Sequence, residues 1–474
     1  MKHLVFLSVC LFVSVFVFSS KPVQAESREV ILKKNAMNIA HREMLAAEDF
    51  ANLDKAMNRI QREYEEGKWT DKELRSFFVD PFRGADSGFE DIYNKWVKAY
   101  PRSYAARQVR GSYFYYMMRK HYFDALKISA SGKIEQIPQE QAEKIKHYAD
   151  LAIRDNAAAL GLDVKKPILA YSQLVGVYRV FGSHEKSRKM LDEANKIAPR
   201  NIIARSSYMG FLDTGVYTLM ATLDEMQKVM EELRKNNLSA EEDSHEIINS
   251  FHSRLLRDSQ YELLDREMNR IQKDYESGKI DDVALSRFFN IFRDTNPVHA
   301  EKYNAWVAAY PQSYAARQAR AMYFRGVAWD ARGTASMRDT STEEREGMQL
   351  YMKRSMDDSM LAATLTAKPV LTYDNILVLS QLGGSRATIN QMITMANMAD
   401  PKNSLVRRSY MHSLQTRWGG SLAEMEEFLK ASKAAGLPDR VIMDFEDAIV
   451  TEKLWIADNI MDTYSNIGQL VTGF

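Results

Sequence analysis

The stretch "YPQSYAARQARAMYF", residues 310–324, decides the fold because the chain carries it twice. The earlier copy is "YPRSYAARQVRGSYF", residues 100–114. It begins 210 positions before the later one and is identical to it at 11 of 15 positions. A segment repeated at this length indicates an internal duplication.

Two further segment pairs align in the same order. "LDKAMNRIQREY" at 53–64 matches "LDREMNRIQKDY" at 264–275, with 8 of 12 positions identical. "ANKIAPRNIIARSSYM" at 194–209 matches "ANMADPKNSLVRRSYM" at 396–411, with 8 of 16 identical. Since the offset falls only from 211 to 202 residues, each half is one unit of about 190 residues with small loop deletions.

The copied unit has the spacing of amphipathic helices. The 474 residues include only 11 prolines and 21 glycines, below the usual ~5% and ~7%, which favours long elements with few turns. Apolar residues recur at helical spacing, and one stripe in each half consists of Leu53, Met57, Ile60 and Tyr64 and of Leu264, Met268, Ile271 and Tyr275. Gly67 and Gly278 then follow as C-terminal caps. The pattern predicts an all-α protein.

Prolines mark where the helices begin and end. Pro101 and the Lys-Pro pairs ending at Pro167 and Pro369 predict helix starts, since proline is tolerated in a first turn. Pro199 and Pro401 end helices that carry small residues on one face, which resembles the end of a tetratricopeptide unit. We therefore predict a tetratricopeptide-like α-solenoid of antiparallel helical hairpins, in two tandem homologous halves with a concave face.

The sequence predicts four segments. Residues 1–25 form a signal peptide, residues 26–240 the first helical repeat unit and residues 241–440 the second. Residues 441–474 form a C-terminal capping helix, since Ile442, Phe445, Ile449 and Leu454 have near-helical spacing.

The N-terminus has the features of an export signal. Lys2 precedes an apolar or small run from Leu4 to Phe18, and Val23-Gln24-Ala25 predicts cleavage after Ala25. The run of 15 residues is shorter than the ~20 that a membrane-spanning helix needs. We expect a periplasmic or secreted protein with no stable membrane anchor after cleavage, and the choice between the two compartments stays open.

Cysteine content and charge exclude several classes of function. Cys10 is the only cysteine, so the processed chain would have no disulfide framework, iron–sulfur cluster or cysteine nucleophile. Without Lys2 and Lys21 the 64 basic residues become 62, against 63 acidic ones. A formal charge of minus one gives no reason to expect a nucleic-acid partner.

Searches for catalytic and metal-binding motifs find none. The sequence has no H-E-x-x-H, C-x-x-C, G-x-S-x-G, G-x-x-x-x-G-K or G-x-G-x-x-G. His245 and His252 can share a helix face, but the sequence suggests no third metal ligand. We therefore predict no cofactor, no metal and no catalytic residue, and favour a protein that is not an enzyme. An acid/base pair that the fold brings together stays open.

Repeated arginines and aromatic residues are the candidates for binding. Arg107 with Arg110, and their repeats Arg317 with Arg320, lie three residues apart, so each pair can grip a carboxylate or phosphate. They can equally pair with acids of the neighbouring hairpin. The run from Tyr113 to Tyr116 is aromatic throughout, and four successive residues cannot all face inward on a helix. Some therefore line a groove or fill the wide spaces between helices.

The segment "RWGGSLAEM" at 417–425 predicts a structured turn before a helix. Gly419 and Gly420 allow unusual backbone angles, and Ser421 with Glu424 forms a capping box. The first half keeps a similar pair, Thr222 and Glu225. Trp418 is then either a packing residue or a surface contact.

These segments together resemble an uncharacterised bacterial family, the domain of unknown function 4034. The resemblance rests on the stretch from Trp306 to Ser313, on "AWDARG" from Ala328, and on "RSYM" followed by "RWGGSLAEM". It implies a helical, tetratricopeptide-like structure and supplies no established activity or catalytic residue. The first half departs from the pattern: Arg119, Tyr122 and Phe123 stand where the second half has Trp329, Arg332 and Gly333.

The interpretation that follows is an exported scaffold for a protein or peptide partner in the bacterial envelope, without catalysis of its own. The partner and the oligomeric state stay open. The alternative is a hydrolase of envelope glycan or peptide, with its site in the groove between the halves. The candidate partner-binding residues lie in the second half: Trp306, Tyr310, Arg317, Arg320, Tyr323, Trp329, Arg417 and Trp418.

Overall fold

The structure is a computed structural model of the 474-residue chain. It describes residues 28–82, 87–128, 137–181, 183–212, 219–238, 244–333, 340–383 and 385–472. The predicted signal peptide lies outside the described residues. In the part of the chain that is described, every regular element is a helix, so the prediction of an all-α protein is confirmed.

Ten α-helices precede residue 240, with a 3₁₀ turn at Asp80–Phe82 and another at Ser87–Phe89. The helices are α1 (Arg28–Ala46), α2 (Phe50–Glu65), α3 (Asp71–Val79), α4 (Glu90–Ala99), α5 (Tyr104–Ile128), α6 (Gln139–Leu160), α7 (Ile168–Val180), α8 (His184–Ile197), α9 (Ile203–Leu212) and α10 (Leu219–Lys235).

Eleven more α-helices follow within the described residues, with 3₁₀ turns at Asn290–Arg293 and Thr416–Trp418. They are α11 (His245–Arg257), α12 (Tyr261–Glu276), α13 (Asp282–Phe289), α14 (Val298–Ala309), α15 (Tyr314–Arg332), α16 (Thr342–Ala362), α17 (Val370–Leu382), α18 (Arg386–Ala399), α19 (Leu405–Ser413), α20 (Leu422–Ala434) and α21 (Asp439–Thr472).

Each helix packs mainly against helices that are near to it in the chain. The largest helix pairs are α5 with α6 and α15 with α16, and α7 and α17 each pack against the two helices that follow them. α11 joins the first ten helices to the rest, because it packs against α9 on one side and against α12, α13 and α14 on the other. A chain of hairpins that contact mostly their neighbours is an α-solenoid, as the sequence predicts.

The predicted helical stripes form the core. Leu53, Met57, Leu264 and Met268 are fully buried, and one apolar cluster extends from α1 to α19. A smaller cluster joins α19, α20 and the start of α21, where Phe445 is buried. The first turns of α21 therefore pack against α19 and α20.

Glycine and proline end or start the helices at most of the predicted positions. Gly67 and Gly278, each just past a helix end, have φ of +80° and +75°, a region that glycine adopts without strain. Pro167 and Pro369 are the N-cap residues of α7 and α17. Pro101 was expected at a helix start, but it lies in the turn before α5, which begins three residues later.

Two carboxylates, Asp282 buried and Asp71 half-buried, cap helices that are distant in sequence. Asp282, in α13, accepts the backbone N–H groups of Ser404 and Leu405 at 2.5 and 2.6 Å, and these donors open α19. Asp71, in α3, does the same for α9 through the N–H groups of residues 202 and 203. The first turn of a helix leaves its N–H groups without internal partners, so each carboxylate satisfies donors that α9 or α19 cannot satisfy itself.

The junction between the halves contains a buried histidine. His252 on α11 is fully buried, and burial lowers its pKa to about 4. Nearby, Glu267 accepts hydrogen bonds from Arg234 at 2.7 Å and from Arg270 at 3.1 Å. Among the residues that the structure describes, no group of three or more histidine, cysteine or acidic side chains is arranged to hold a metal ion.

Candidate functional site

The repeated arginines bind an aspartate of the next helix. Arg320 forms a two-pronged pair with Asp358 on α16, with N–O distances of 2.7 and 2.8 Å, and Arg317 adds a third bond of 3.0 Å. Asp358 is buried. Because the protein supplies its own carboxylate, the structure realises the alternative in which these arginines pair with an acid of the neighbouring helix.

The first half contains the same arrangement. Arg110 binds Asp155 on α6 at 2.6 and 2.8 Å, and Arg107 binds it at 3.0 Å. We call these two clusters the arginine clamps. They join α5 to α6 and α15 to α16, and they account for the repeated arginines structurally.

Three of the predicted aromatic contact residues belong to the core or its edge. Trp306 is fully buried, and its indole N–H donates to Asp265 at 3.0 Å. Tyr323 is buried against Tyr303, and Tyr310 is half-buried against the same core. Trp306 and Tyr323 thus offer no surface to a partner, because their stripe faces the neighbouring helices.

Trp329 and Trp418 line one pocket, which we call the two-tryptophan pocket. Its volume is about 340 Å³, near the lower end of the range for small-ligand sites. Helix α15 supplies one wall, α17 the floor, α19 a second wall and the 416–418 turn the last. The lining residues are Trp329, Val378, Gln381, Leu382, Arg408, Ser409, His412 and Trp418.

Two glycines fix the position of Trp418. Gly419 has a φ of +82°, and a Cβ atom on Gly420 would collide with the backbone of Leu414. The backbone N–H of Trp418 donates to the carbonyl of Gln415 at 2.9 Å, which closes the turn. The indole therefore lies beside His412, with the ring centres 5.8 Å apart. Its own N–H is buried and has no hydrogen-bond partner among the described residues.

The predicted capping boxes are realised only in part. The Ser421 hydroxyl accepts the backbone N–H of Glu424, as expected, and thereby starts α20. The Glu424 carboxylate accepts from the Ser421 hydroxyl and from Arg386 instead of completing the box. In the first half the prediction is wrong, because Thr222 lies inside α10, three residues after the first described residue of that helix.

The pocket lining includes the polar side chains of Gln381, Arg408, Ser409 and His412, and the exposed Arg417 lies next to Trp418 in the chain. The Gln381 side-chain nitrogen lies 3.1 Å from His412 Nδ1, within hydrogen-bond distance. Partial burial, aided by nearby Arg417, lowers the pKa of His412. Arg408 pairs with Asp444 at 2.8 Å. Arg417 is exposed and donates to the neutral side chain of Gln415.

The equivalent space in the first half is filled. The ring of Tyr115 lies against Gly176, so closely that a Cβ atom there would collide with the tyrosine hydroxyl. The second half has Arg325 and Val378 at the aligned positions, and Arg325 turns toward buried Asp374. Arg119, aligned with Trp329, stacks on Tyr115 instead of forming a pocket wall.

The sequence predicted part of this site. Trp329, Trp418 and neighbouring Arg417 were candidates, and the fold brings the two tryptophans together. Val378, Leu382 and His412 were missed, since they come from two helices whose pattern indicates only burial. His412 and Arg408 lie four residues apart just before the Trp-Gly-Gly turn, and that proximity was the signal available.

Comparison with known families locates the resemblance in the second half. The sequence model described as "Domain of unknown function (DUF4034)" matches residues 251–405. This confirms the resemblance for that part of the chain and assigns no activity. The match includes Trp329 and the α17 floor of the pocket. No curated protein matches this chain in sequence.

Two solved structures are similar over most of the length. A circular tandem repeat protein with novel repeat topology and enhanced subunit contact surfaces has 12% sequence identity and a TM-score of 0.18, and the match covers 92% of this chain and 98% of that chain. Naa15/Naa10 bound to HypK-THB has 13% identity and a TM-score of 0.20, with coverage of 92% and 79%. At these values neither similarity bears on function.

None of the helices in the described ranges is long and apolar enough to cross a membrane.

Proposed function

We propose that this chain is an exported helical-repeat scaffold of the bacterial envelope that binds a protein or peptide partner through the two-tryptophan pocket. The observation that carries the proposal is the pocket itself, in which two indole side chains and the floor residues Val378 and Leu382 surround a cavity of about 340 Å³. Such a cavity takes an apolar side chain, and its polar edge orients the ligand.

The geometry of the solenoid supports a macromolecular partner. Stacked hairpins present an extended surface on either side of the pocket, so a longer chain can continue along the surface from an anchored residue. Tryptophan and arginine are also the residue types that contribute most to protein interfaces. Trp329, Trp418 and Arg417 provide both types within one small region.

The hydrolase alternative finds less support at this pocket. Hydrolysis of a glycan would need two carboxyl groups facing the scissile bond. The eight residues that line the pocket include no aspartate or glutamate. The nearby acids Asp374 and Asp444 are already engaged by Ser409 and Arg408.

The proposal is tested by selecting peptides from a displayed random library on the purified chain. We expect selected peptides to bind with micromolar dissociation constants, and the Trp329→Ala and Trp418→Ala variants to weaken binding by at least about tenfold, since each removes an aromatic wall. Arg119→Ala is the matched control, because Arg119 occupies the aligned position in the filled half. If both tryptophan variants bind like the parent protein, the pocket is not the site.

A further inference from the structure

The last helix of the solenoid presents apolar side chains on its outward side. Val450 and Leu454 of α21 are 55% and 63% exposed, and Ala457 is also exposed. Leu454 follows buried Phe445 by nine residues, about two and a half helical turns, so the two side chains lie on opposite sides of α21. Phe445 belongs to the cluster that joins α21 to α19 and α20. Since the end of a solenoid normally has a polar outer face, this exposed apolar strip points to a partner.

The strip continues along the rest of α21 with the spacing of a coiled-coil seam. The helix extends to Thr472. Beyond the three exposed residues, the sequence places Met461, Tyr464, Gly468 and Val471 in the same series. From Val450 to Val471 the spacing alternates between four and three residues, which is the heptad repeat of a left-handed coiled coil. The pattern therefore favours another helix as the partner.

The charges beside the seam match a second copy of the same helix. Lys453 directly precedes Leu454, and Asp458 directly follows Ala457. In a parallel two-stranded coil, the residue before one seam position faces the residue five positions later on the other strand. The Lys453 position of each copy therefore faces the Asp458 position of the other, and two-fold symmetry supplies this match twice. Lys453 pairs with Glu426 at 2.9 Å, but both side chains are exposed, so that pair is weak.

A lipid surface fits α21 less well than a second copy does. A helix that lies on a membrane surface is rich in lysine and arginine on its polar face. Between residues 450 and 472, α21 has one lysine, no arginine and three acidic residues. The composition therefore gives no electrostatic attraction to an anionic bilayer.

We propose that α21 is a dimerisation helix, which pairs in parallel with α21 of a second copy along the seam from Val450 to Val471. α19 and α20 pack on the side of α21 opposite to the seam, so the two solenoids lie on the outer sides of the pair. The pairing does not depend on the proposed peptide-binding function. If that function holds, the dimer carries two copies of the two-tryptophan pocket, and a partner with two matching segments binds with avidity.

The test measures self-association of the purified full chain by sedimentation velocity. We expect a dimer at about 50 μM chain, because a seam of about three heptads gives a dissociation constant in the micromolar range. Leu454→Glu places a charge in the seam, and we expect it to raise the dissociation constant at least about tenfold. Leu350→Glu on α16 is the matched control, since Leu350 is 49% exposed on a different helix. Circular dichroism verifies that both variants are folded.

Two further experiments test the parallel orientation. Ala457→Cys puts one thiol at the seam of each copy, so mild oxidation should join a parallel pair by a disulfide. Ala434→Cys, at the exposed end of α20, is the control. Lys453→Glu should weaken the dimer at least about threefold, and the addition of Asp458→Lys should restore the affinity, because the opposite charges then face each other again.

Each result supports or overturns the proposal. A parent chain that is monomeric at this concentration would overturn it, including one that instead floats with phosphatidylglycerol vesicles and loses that binding in Leu454→Glu. A dimer that survives Leu454→Glu, or that Leu350→Glu weakens equally, would also overturn it, because the interface then lies elsewhere. A dimer that crosslinks through Ala457→Cys no better than through Ala434→Cys would exclude the parallel pairing. None of these results decides whether the two-tryptophan pocket binds peptides.

Discussion

Corresponding helices pack against each other in the same order in each half. The two halves differ in the side chains that fill the space between those helices. In the first half, Tyr115 covers Gly176 and closes the space. In the second half the aligned Arg325 turns away toward Asp374, and a pocket remains above Val378. The clamps, caps and core stripes are shared. The comparison shows that packing between the same helices is retained while a few side chains decide whether a cavity exists.

The arginine clamps should be equally important in both halves. Replacing Asp155 or Asp358 by alanine leaves two arginines without their carboxylate, and we expect each change to lower the free energy of unfolding by about 3–5 kcal/mol. Urea unfolding followed by circular dichroism measures this loss. A loss below about 1 kcal/mol in one half only would show that the two clamps are not equivalent.

The histidines at aligned positions should respond differently to acid. Burial lowers the pKa of His252 from 6.5 to about 4, so below pH 6.5 the unfolded chain binds a proton that the folded chain does not. Stability should therefore fall by about 3 kcal/mol as the pH drops from 6.5 to 4. His41 on α1 also has a pKa lowered by burial.

We expect His252→Gln to remove more of the pH dependence of stability in this range than His41→Gln does. Urea midpoints measured at half-unit pH intervals give the comparison. An unchanged pH dependence in His252→Gln would mean that this histidine is not responsible for it.

Substitutions at the pocket floor should have unequal effects in the two halves. Gly176→Ala places a Cβ atom against Tyr115, and we expect a loss of about 1–3 kcal/mol from overpacking. Val378→Ala, at the aligned position, only enlarges an existing cavity, so it should cost about 1 kcal/mol. Thermal unfolding of both variants measures the difference. Equal losses would contradict the view that only the first-half space is filled.

The smallest expected loss of stability comes from the serine caps of α5 and α15, and it should be the same in both halves. Ser103 and Ser313 each accept a backbone N–H at the start of α5 and α15, and each also accepts from an asparagine of α2 or α12. We expect alanine at either position to cost about 1–2 kcal/mol. A difference larger than about 1 kcal/mol between the two variants, measured by urea unfolding, would show that the caps have diverged.

The fold followed from the sequence because helical spacing reports burial directly. Leu53, Met57 and their repeats lie in the core, as predicted. The same reasoning could have placed Trp306 there, since Tyr303, Trp306 and Val307 repeat the helical stripe that Tyr93, Trp96 and Val97 form. The prediction that Trp306 contacts a partner relied on its being a tryptophan, whereas its position in the helical stripe indicates burial.

The pocket was predictable only in outline. Trp329 and Trp418 were chosen because the first half lacks them, and this difference between the halves was informative. The cavity depends on three-dimensional relations that no spacing encodes, such as the turn of Arg325 toward Asp374. For the arginines, the sequence fitted two interpretations, a ligand-binding pair and a pair bound to an acid of the neighbouring helix. Only the position of Asp358 in the structure decides between them.

The carboxylate caps have a consequence for how the chain folds and tolerates truncation. Asp282 and Ser404 are 122 residues apart, so the start of α19 is satisfied only when α13 is already in place. A solenoid whose repeats contact only their neighbours can lose its terminal repeats one at a time. Here an early helix and a late helix of each half are bonded to each other, and we expect each half to fold and unfold as one cooperative unit rather than hairpin by hairpin.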